Sequence, residues 1–240
     1  MNEAFVRMEA LLGREAMDKL AQSHVAVLGL GGVGSWAAEA LCRAGVGTLT
    51  LMDSDTVGES NINRQLYALR STVGLPKAEV AAARCRDFRV DVTVHPIVGT
   101  YDAAHRDDFF CRDYDYIVDC IDLVSCKLDL IEQAQERGIP ILCALGTGNK
   151  LDAASLQVAD IAKTYGCPLA RVMRKELRNR GIHHLKVVFS PEEPHEAQQT
   201  EAPPQGRRSV PGSVVWVPAA AGLLLAQTVV EDLVKEDEAT

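Results

Sequence analysis

Apolar positions recur along this chain with two alternating periods. Residues 5–20 place Phe5, Met8, Leu11, Leu12, Ala16 and Leu20 at helical spacing, which predicts an amphipathic lead-in helix. Val25–Leu28 is a short apolar run that ends in glycines, and Trp36–Ala44 then reads as a helix. Thr48–Met52 is a second apolar strand, closed by Asp53 and Asp55. A polar stretch reaches Gly74, and Pro76 stands where a helix accepts proline, with helical spacing continuing to about Arg86. Val90–Val98 alternates as a strand, Asp102–Phe110 predicts a short helix and Tyr116–Ile121 a buried strand. Ser125–Arg137 follows as a helix and Ile139–Leu145 as another strand.

Strands alternating with helices of this length predict an α/β, Rossmann-like fold, its mostly parallel sheet covered by helices on both faces. The remainder is less regular and is expected to form a C-terminal extension. It contains a strand at Ser155–Ile161, a helix at Pro168–Arg180 and a strand at Leu185–Phe189. Ser190–Gly212, with five prolines, predicts a mobile crossover loop before a C-terminal helix starting near Pro218. The chain thus reads as one domain over 1–240, with an N-terminal helix in 1–23, a nucleotide-binding core in 24–150 and a substrate-side extension in 151–240.

Composition narrows the class. The 240 residues are 47% hydrophobic and 24% charged, the proportions of a soluble globular protein. With 25 basic and 33 acidic side chains the net charge is −8, so a polyanionic partner requires a local basic patch. No basic, apolar leader is seen at the N-terminus, and Pro218, Gly222, Gln227 and Thr228 interrupt the apolar stretch Val214–Val230. A cytoplasmic protein without a membrane span is expected. Seven cysteines, at 42, 85, 111, 120, 126, 143 and 167, read as reduced core thiols. No pair has C-x-x-C spacing, so zinc is not expected.

The chemistry concentrates after the first strand. Gly29, Gly31, Gly32 and Gly34 stand between a strand and a helix, where glycines let the backbone approach phosphate and the helix N-terminus offers free N–H groups. Asp53, at the end of the next strand, is placed for a ribose hydroxyl. Arg64 and Lys77 add positive charge beside a site already built for phosphate, which suits the splitting of a triphosphate better than the holding of a dinucleotide. Asp122 falls at the carboxyl edge of the sheet, where a carboxylate can hold Mg²⁺ between phosphates.

Gly29-x-Gly-Gly-x-Gly34, Asp53-x-Asp55, Asn61-x-Asn-Arg-Gln65, Gly74-x-Pro-Lys77 and Asp119-Cys-Ile-Asp122 together resemble the adenylation domain of the ThiF, ubiquitin-activating-like superfamily. The resemblance implies that Gly32 lies against the nucleotide, Asp53 on the ribose, Asn61, Arg64 and Lys77 on phosphates, and Asp122 on magnesium. Gly29, Gly31, Gly34, Asp55, Asn63 and Gln65 join the same ATP site. Members are typically homodimers in which an N-terminal arginine enters the other subunit's site, and Arg7 is the best match, Arg14 the second. Phe5 to Gly13, Val33 to Ala40, Leu156 to Asp160, Pro168 to Val172 and Pro211-Gly-Ser-Val214 through Pro218 to Gly222 are similar to one branch, the tRNA threonylcarbamoyladenosine dehydratases. That branch implies ATP-driven activation of a carboxylate on a tRNA adenosine, followed by ring closure and loss of AMP. Some relatives carry paired C-x-x-C zinc ligands or a crossover-loop cysteine, and both are missing here.

Ring closure within one substrate gains from proximity and needs no enzyme thiol, so Cys126 and Cys167 are read as core. For tRNA, Arg171, Arg174, Lys175 and Arg178 fall on one face of a predicted helix, with Leu169, Val172, Met173 and Leu177 opposite, forming a phosphate-contacting stripe. Few aromatics argue against an extended stacking platform. His183, His184 and His195 are given no role. Three classes stay open: the tRNA-modifying dehydratase, an adenylyltransferase activating the C-terminus of a ubiquitin-like sulfur-carrier protein, and a nicotinamide oxidoreductase; a sulfur-transfer or carrier protein stays open as a partner. A non-catalytic nucleotide sensor is a distant fourth.

Overall fold

A computed structural model describes residues 3–198 and 210–235. The helices are α1 (Val6–Leu12), α2 (Arg14–Gln22), α3 (Gly34–Arg43), α4 (Lys77–Phe88), α5 (Arg106–Phe109), α6 (Val124–Glu136), α7 (Pro168–Asn179) and α8 (Trp216–Val234). The strands are β1 (His24–Leu28), β2 (Thr48–Asp53), β3 (Thr93–Val98), β4 (Tyr116–Asp119), β5 (Ile141–Ala144), β6 (Gln157–Asp160) and β7 (Lys186–Phe189). They form one sheet in the order β3-β2-β1-β4-β5-β7-β6, parallel throughout except for the antiparallel edge pair β6 and β7. The α/β, mostly parallel reading holds. The segment expected as an extension contributes two of these strands.

Alternation along β1 divides the core. Val25 and Val27 pack with α3, α4 and α8 on one face, while Ala26 and Leu28 pack with α6 and α7 on the other. The strand order reverses direction around β1, since β2 and β4 lie on its two sides, and a crevice opens at their carboxyl ends.

Several boundaries differ from the sequence reading, each for a local reason. The lead-in helix is two helices, because Gly13 at φ 82° breaks it. The third strand starts at Thr93, since Val90 is 96% exposed in the turn after α4. Its Pro96 is tolerated because β3 is a sheet edge. Only Arg106–Phe109 of the predicted 102–110 helix forms, the Asp102 carboxylate accepting from Ala104 and His105 N–H at its start. Helix α8 is long and apolar enough to cross a membrane by length and composition, but half of that window is buried inside the protein. It lies directly on α3, where a Cβ on Gly222 would meet the Val33 carbonyl at 2.4 Å. Of the cysteines, Cys111 is exposed and Cys120 half-buried, so the core reading holds only for the other five.

Residues 199–209 of the crossover segment lie outside the described residues. Its flanks are pinned. Glu192 accepts from Leu151 and Asp152 N–H, and His195, given no role from sequence, donates its backbone N–H to Asn149 O (2.8 Å).

Candidate active site

The crevice at the carboxyl edge holds a cleft of about 680 Å³. It is lined by Gly29, Gly31, Gly32, Gly34, Asp53, Asp55, Asn61, Arg64, Gln65, Lys77 and Asp122, with Cys120, Thr147, Gly148 and Pro211–Ser213 closing it. Eleven of the twelve residues assigned to the nucleotide from sequence therefore meet in one place. The exception is Asn63.

The glycines act differently. Gly29 has φ 86°, and a Cβ there would sit 2.5 Å from the Cys120 carbonyl; one on Gly34 would overlap the Gly29 carbonyl at 1.7 Å. These two close the turn between β1 and α3. Gly31 and Gly32 meet only side-chain atoms at 3.2 Å or more, so they are the bare backbone facing the cleft. Asp53 braces this loop, one carboxylate oxygen accepting from Leu30 N–H (2.6 Å) and the other from Asp55 N–H (2.8 Å). Each oxygen keeps a lone pair for a ribose hydroxyl.

The cations are aimed by neighbours. Lys77 opens α4, its side chain only 6% exposed, and Nζ pairs with Asp55 Oδ2 at 2.9 Å while the Lys77 N–H donates to Asp55 O (3.0 Å). An ammonium has three donors, so this pair orients the charge without exhausting it. Arg64 Nη1 donates to Ser60 O and Asn63 Oδ1, both at 2.9 Å, leaving Nε and Nη2 without a partner among the described residues. Asn61 shapes that turn: its Oδ1 accepts from Gly58 N–H (3.0 Å), and its carbonyl from Gln65 N–H. Asn63 does not line the cleft. It ties Arg64 to the far wall by donating Nδ2 to Ser213 O at 3.0 Å.

Asp122 is exposed at the cleft and makes no hydrogen bond or ion pair among the described residues. A carboxylate left open beside a phosphate site fits Mg²⁺, which takes one or two carboxylates and completes its shell with phosphate oxygens and water. No group of three or more His, Cys, Asp or Glu side chains that could hold a metal occurs among the described residues.

Sequence reasoning missed the support beneath Asp122. Asp119 and Lys127 form a fully enclosed ion pair (2.6 Å), with side-chain exposures of 0% and 1%. Lys127 also donates to Ala144 O (3.1 Å), and Asp119 Oδ1 accepts from Ile121 N–H (3.0 Å), so the ends of β4 and β5 and the turn to Asp122 are joined. Burial opposes the Lys127 charge, but Asp119 more than compensates and holds its pKa above the ordinary lysine value. The readable signal is a lysine in the first turn of a helix whose neighbours are apolar, eight residues after a strand-end aspartate. Asn149 was also missed. It adopts φ 59°, its N–H donates to Gly212 O (2.7 Å), and its Oδ1 accepts from Gly212 N–H (2.6 Å), clasping the returning leg of the chain to the cleft.

Away from the cleft, Arg171, Lys175 and Arg178 are exposed on α7. Arg174 departs from this stripe: it is half-buried, and its Nη1 donates to Thr164 O (2.9 Å) and Thr164 Oγ1 (2.5 Å). Val172, expected on the apolar face, is 45% exposed, and Ala170, Met173 and Leu177 form the buried side. Cys126 and Cys167 are buried, and burial pushes the Cys126 thiol up, against nucleophilic use. Arg7 and Arg14 are exposed on α1 and α2, and neither lines the cleft.

A glycine-loop cleft with two aimed cations and an open carboxylate on a parallel sheet defines a nucleotide-dependent adenylating site. The ThiF family matches residues 6–240, and the chain belongs to that family. Within it, the chain is 40% identical over 247 residues to the tRNA threonylcarbamoyladenosine dehydratase of Bacillus subtilis (strain 168), covering 99% of this chain and 97% of that protein. It is 41% identical over 190 residues to the protein of the same name from Escherichia coli (strain K12), covering 76% and 71%. The solved E. coli tRNA N6-threonylcarbamoyladenosine dehydratase in complex with ATP shares the architecture at a TM-score of 0.87 and 33% identity, over 96% of this chain and 93% of that one.

Proposed function

We propose that this chain uses ATP to adenylate the carboxylate of threonylcarbamoyladenosine in tRNA and promotes its dehydrative cyclisation. The observation that carries the reading is the cleft itself, which sets Arg64, Lys77 and the Gly31–Gly32 backbone around one volume with Asp122 at its edge. A carboxylate is a poor electrophile. Its oxygen attacks the α-phosphorus of ATP, the bond to the β-phosphate oxygen breaks, and pyrophosphate leaves with the charge that Arg64 and Lys77 stabilise. An atom of the same threonylcarbamoyl group then attacks the activated carbonyl and AMP departs with the bridging oxygen, for a net loss of water. Both reacting groups belong to one bound substrate, so closure is intramolecular and uses no cysteine. Bound Mg²⁺, held by Asp122 and phosphate oxygens, would neutralise charge on the triphosphate.

Arg7 is exposed and lies away from its own chain's cleft, where it is available to a second copy. This supports a homodimer in which Arg7 completes the partner's site. Mixing Arg7→Ala with Asp122→Ala chains should then restore activity through one intact site per mixed dimer; no recovery despite subunit exchange would count against it. Arg171, Lys175 and Arg178 are assigned to tRNA phosphates, and the protein is placed in the cytoplasm with its substrate. The deciding experiment is ATP–pyrophosphate exchange stimulated by bulk tRNA or by a sulfur-carrier protein. Stimulation by tRNA alone is expected, and stimulation by carrier alone would overturn the reading.

A further inference from the structure

The aromatic residues are divided sharply between interior and surface. Among five phenylalanines, five tyrosines and two tryptophans, only Tyr165 and Trp216 are more than half exposed, at 59% and 52%. A single exposed aromatic needs no explanation. These two, however, border the same short loop, the one whose Thr147 and Gly148 wall the ATP cleft. Trp216, at the head of α8, donates Nε1–H to Leu151 O (2.7 Å) at the loop's far end. The turn bearing Tyr165 meets its near end, Cys167 Sγ lying 3.9 Å from where a Gly146 Cβ would stand.

Both side chains rise from pinned backbone. The Tyr165 ring meets the buried Phe189 ring edge-on at 5.9 Å. Gly166, next to it, has φ 69° and is packed so closely that a Cβ would approach the Pro191 carbonyl to 2.1 Å. Arg174 fixes the other side of the turn through Thr164, which accounts for its withdrawal from the basic stripe. The exposed cations Arg171, Lys175 and Arg178 follow on α7. Two oriented aromatic rings bordering the loop that walls the cleft, followed by exposed cations, match the chemistry of single-stranded RNA: bases stack on ring faces while phosphates meet basic side chains.

We propose that Tyr165 and Trp216 are the nucleobase-stacking contacts that hold the reacting adenosine and a neighbouring tRNA nucleotide at the mouth of the cleft. This rests on the dehydratase reading and adds the residues that present the base.

The test is tRNA affinity as a function of salt for the full-length protein, with ATP affinity measured alongside. Tyr165→Ala and Trp216→Ala should each weaken tRNA binding roughly 5- to 150-fold, as loss of one stacked base does. The salt slope should stay at the wild-type value, because stacking releases no counterions, and ATP affinity should not change. Tyr165→Phe and Trp216→Phe keep a ring, and should retain most of the affinity; the latter also removes the bond to Leu151 O, which separates stacking from anchoring. Addition of tRNA should quench the fluorescence of wild type but not of Trp216→Phe, whose one remaining tryptophan is Trp36. Alanine variants that bind tRNA like wild type, or a Trp216→Phe variant as impaired as Trp216→Ala, would overturn the assignment. Wild-type protein that binds ATP but no tRNA would overturn the dehydratase reading instead, and with it this one.

Discussion

The two walls of the cleft are built by opposite means. One carries the charge, in Asp53, Asp55, Arg64, Lys77 and Asp122, and is braced over short separations: Lys77 to Asp55 spans 22 residues and Arg64 to Asn63 only one. The other, from Thr147, Gly148 and Pro211–Ser213, has no ionisable side chain and is held over long ones. Asn149 reaches Gly212 across 63 residues, and Asn63 reaches Ser213 across 150. The difference separates two tasks. Under the proposed function, stabilising a departing pyrophosphate needs charges held to a fraction of an ångström, which a compact motif supplies. Admitting a large substrate needs a shaped, neutral surface, which can be assembled from distant backbone.

The charged wall breaks most severely from beneath. Lys127→Met leaves Asp119 buried without its partner and should cost about 3–5 kcal/mol, whereas replacing both with apolar residues of similar volume should cost far less. Chemical denaturation of the single and double variants checks this, and equal losses would show that the pair's charge is irrelevant. Arg64→Ala or Lys77→Ala should lower adenylation by about 10²–10³ with the fold retained, since Asp55, left alone, is 68% exposed. Pyrophosphate exchange and circular dichroism test this together. Near-normal turnover would remove either residue from its role.

The neutral wall should fail through its backbone. Asn149→Gly loses only the bond to Gly212, while Asn149→Ala also forces a side chain into the left-handed region at about 1–2 kcal/mol. Both should melt below wild type and the alanine variant lowest; a glycine variant as stable as wild type would contradict the clasp, and coincident curves for the two variants would contradict the cost of the left-handed backbone. Outside both walls, Lys175→Glu should weaken tRNA binding and flatten its salt dependence by about one unit per lost phosphate contact. Arg174→Ala should instead lower stability and leave the slope alone.

The smallest effect lies at the opposite end of the sheet. Burial and the neighbouring His95 hold the His24 pKa below its ordinary value, against the raising influence of Asp115. Its ring contacts Thr50 Oγ1 at 2.8 Å and Tyr114 edge-on at 4.8 Å. Folded His24 binds its proton more weakly than the unfolded chain does, so this contribution is full above about pH 7 and is lost as pH falls toward 5. His24→Gln should reduce the fall in melting temperature over that window, and an unchanged fall would assign it elsewhere.

The chain's order of apolar runs, its glycines and its clustered charges determined the parallel α/β core and the charged wall, because each part is encoded within one strand–turn–helix unit. Those units fold by short-range rules of periodicity and turn geometry, so the meeting of Asp53, Arg64 and Lys77 in one cleft was legible from their places along the chain. Asn149, Lys127 and the anchoring of Arg174 were decided by tertiary structure. Asn149 acts through a backbone 63 residues away, Lys127 through an enclosure that only the packed β4 and β5 ends create, and Arg174 through a turn that brings Thr164 under its guanidinium. The exposed pair Tyr165 and Trp216 belongs to the same class: two aromatics 51 positions apart in sequence meet one loop only because α8 returns across the sheet. Local pattern records what a residue can do, and the fold settles which partner it finds.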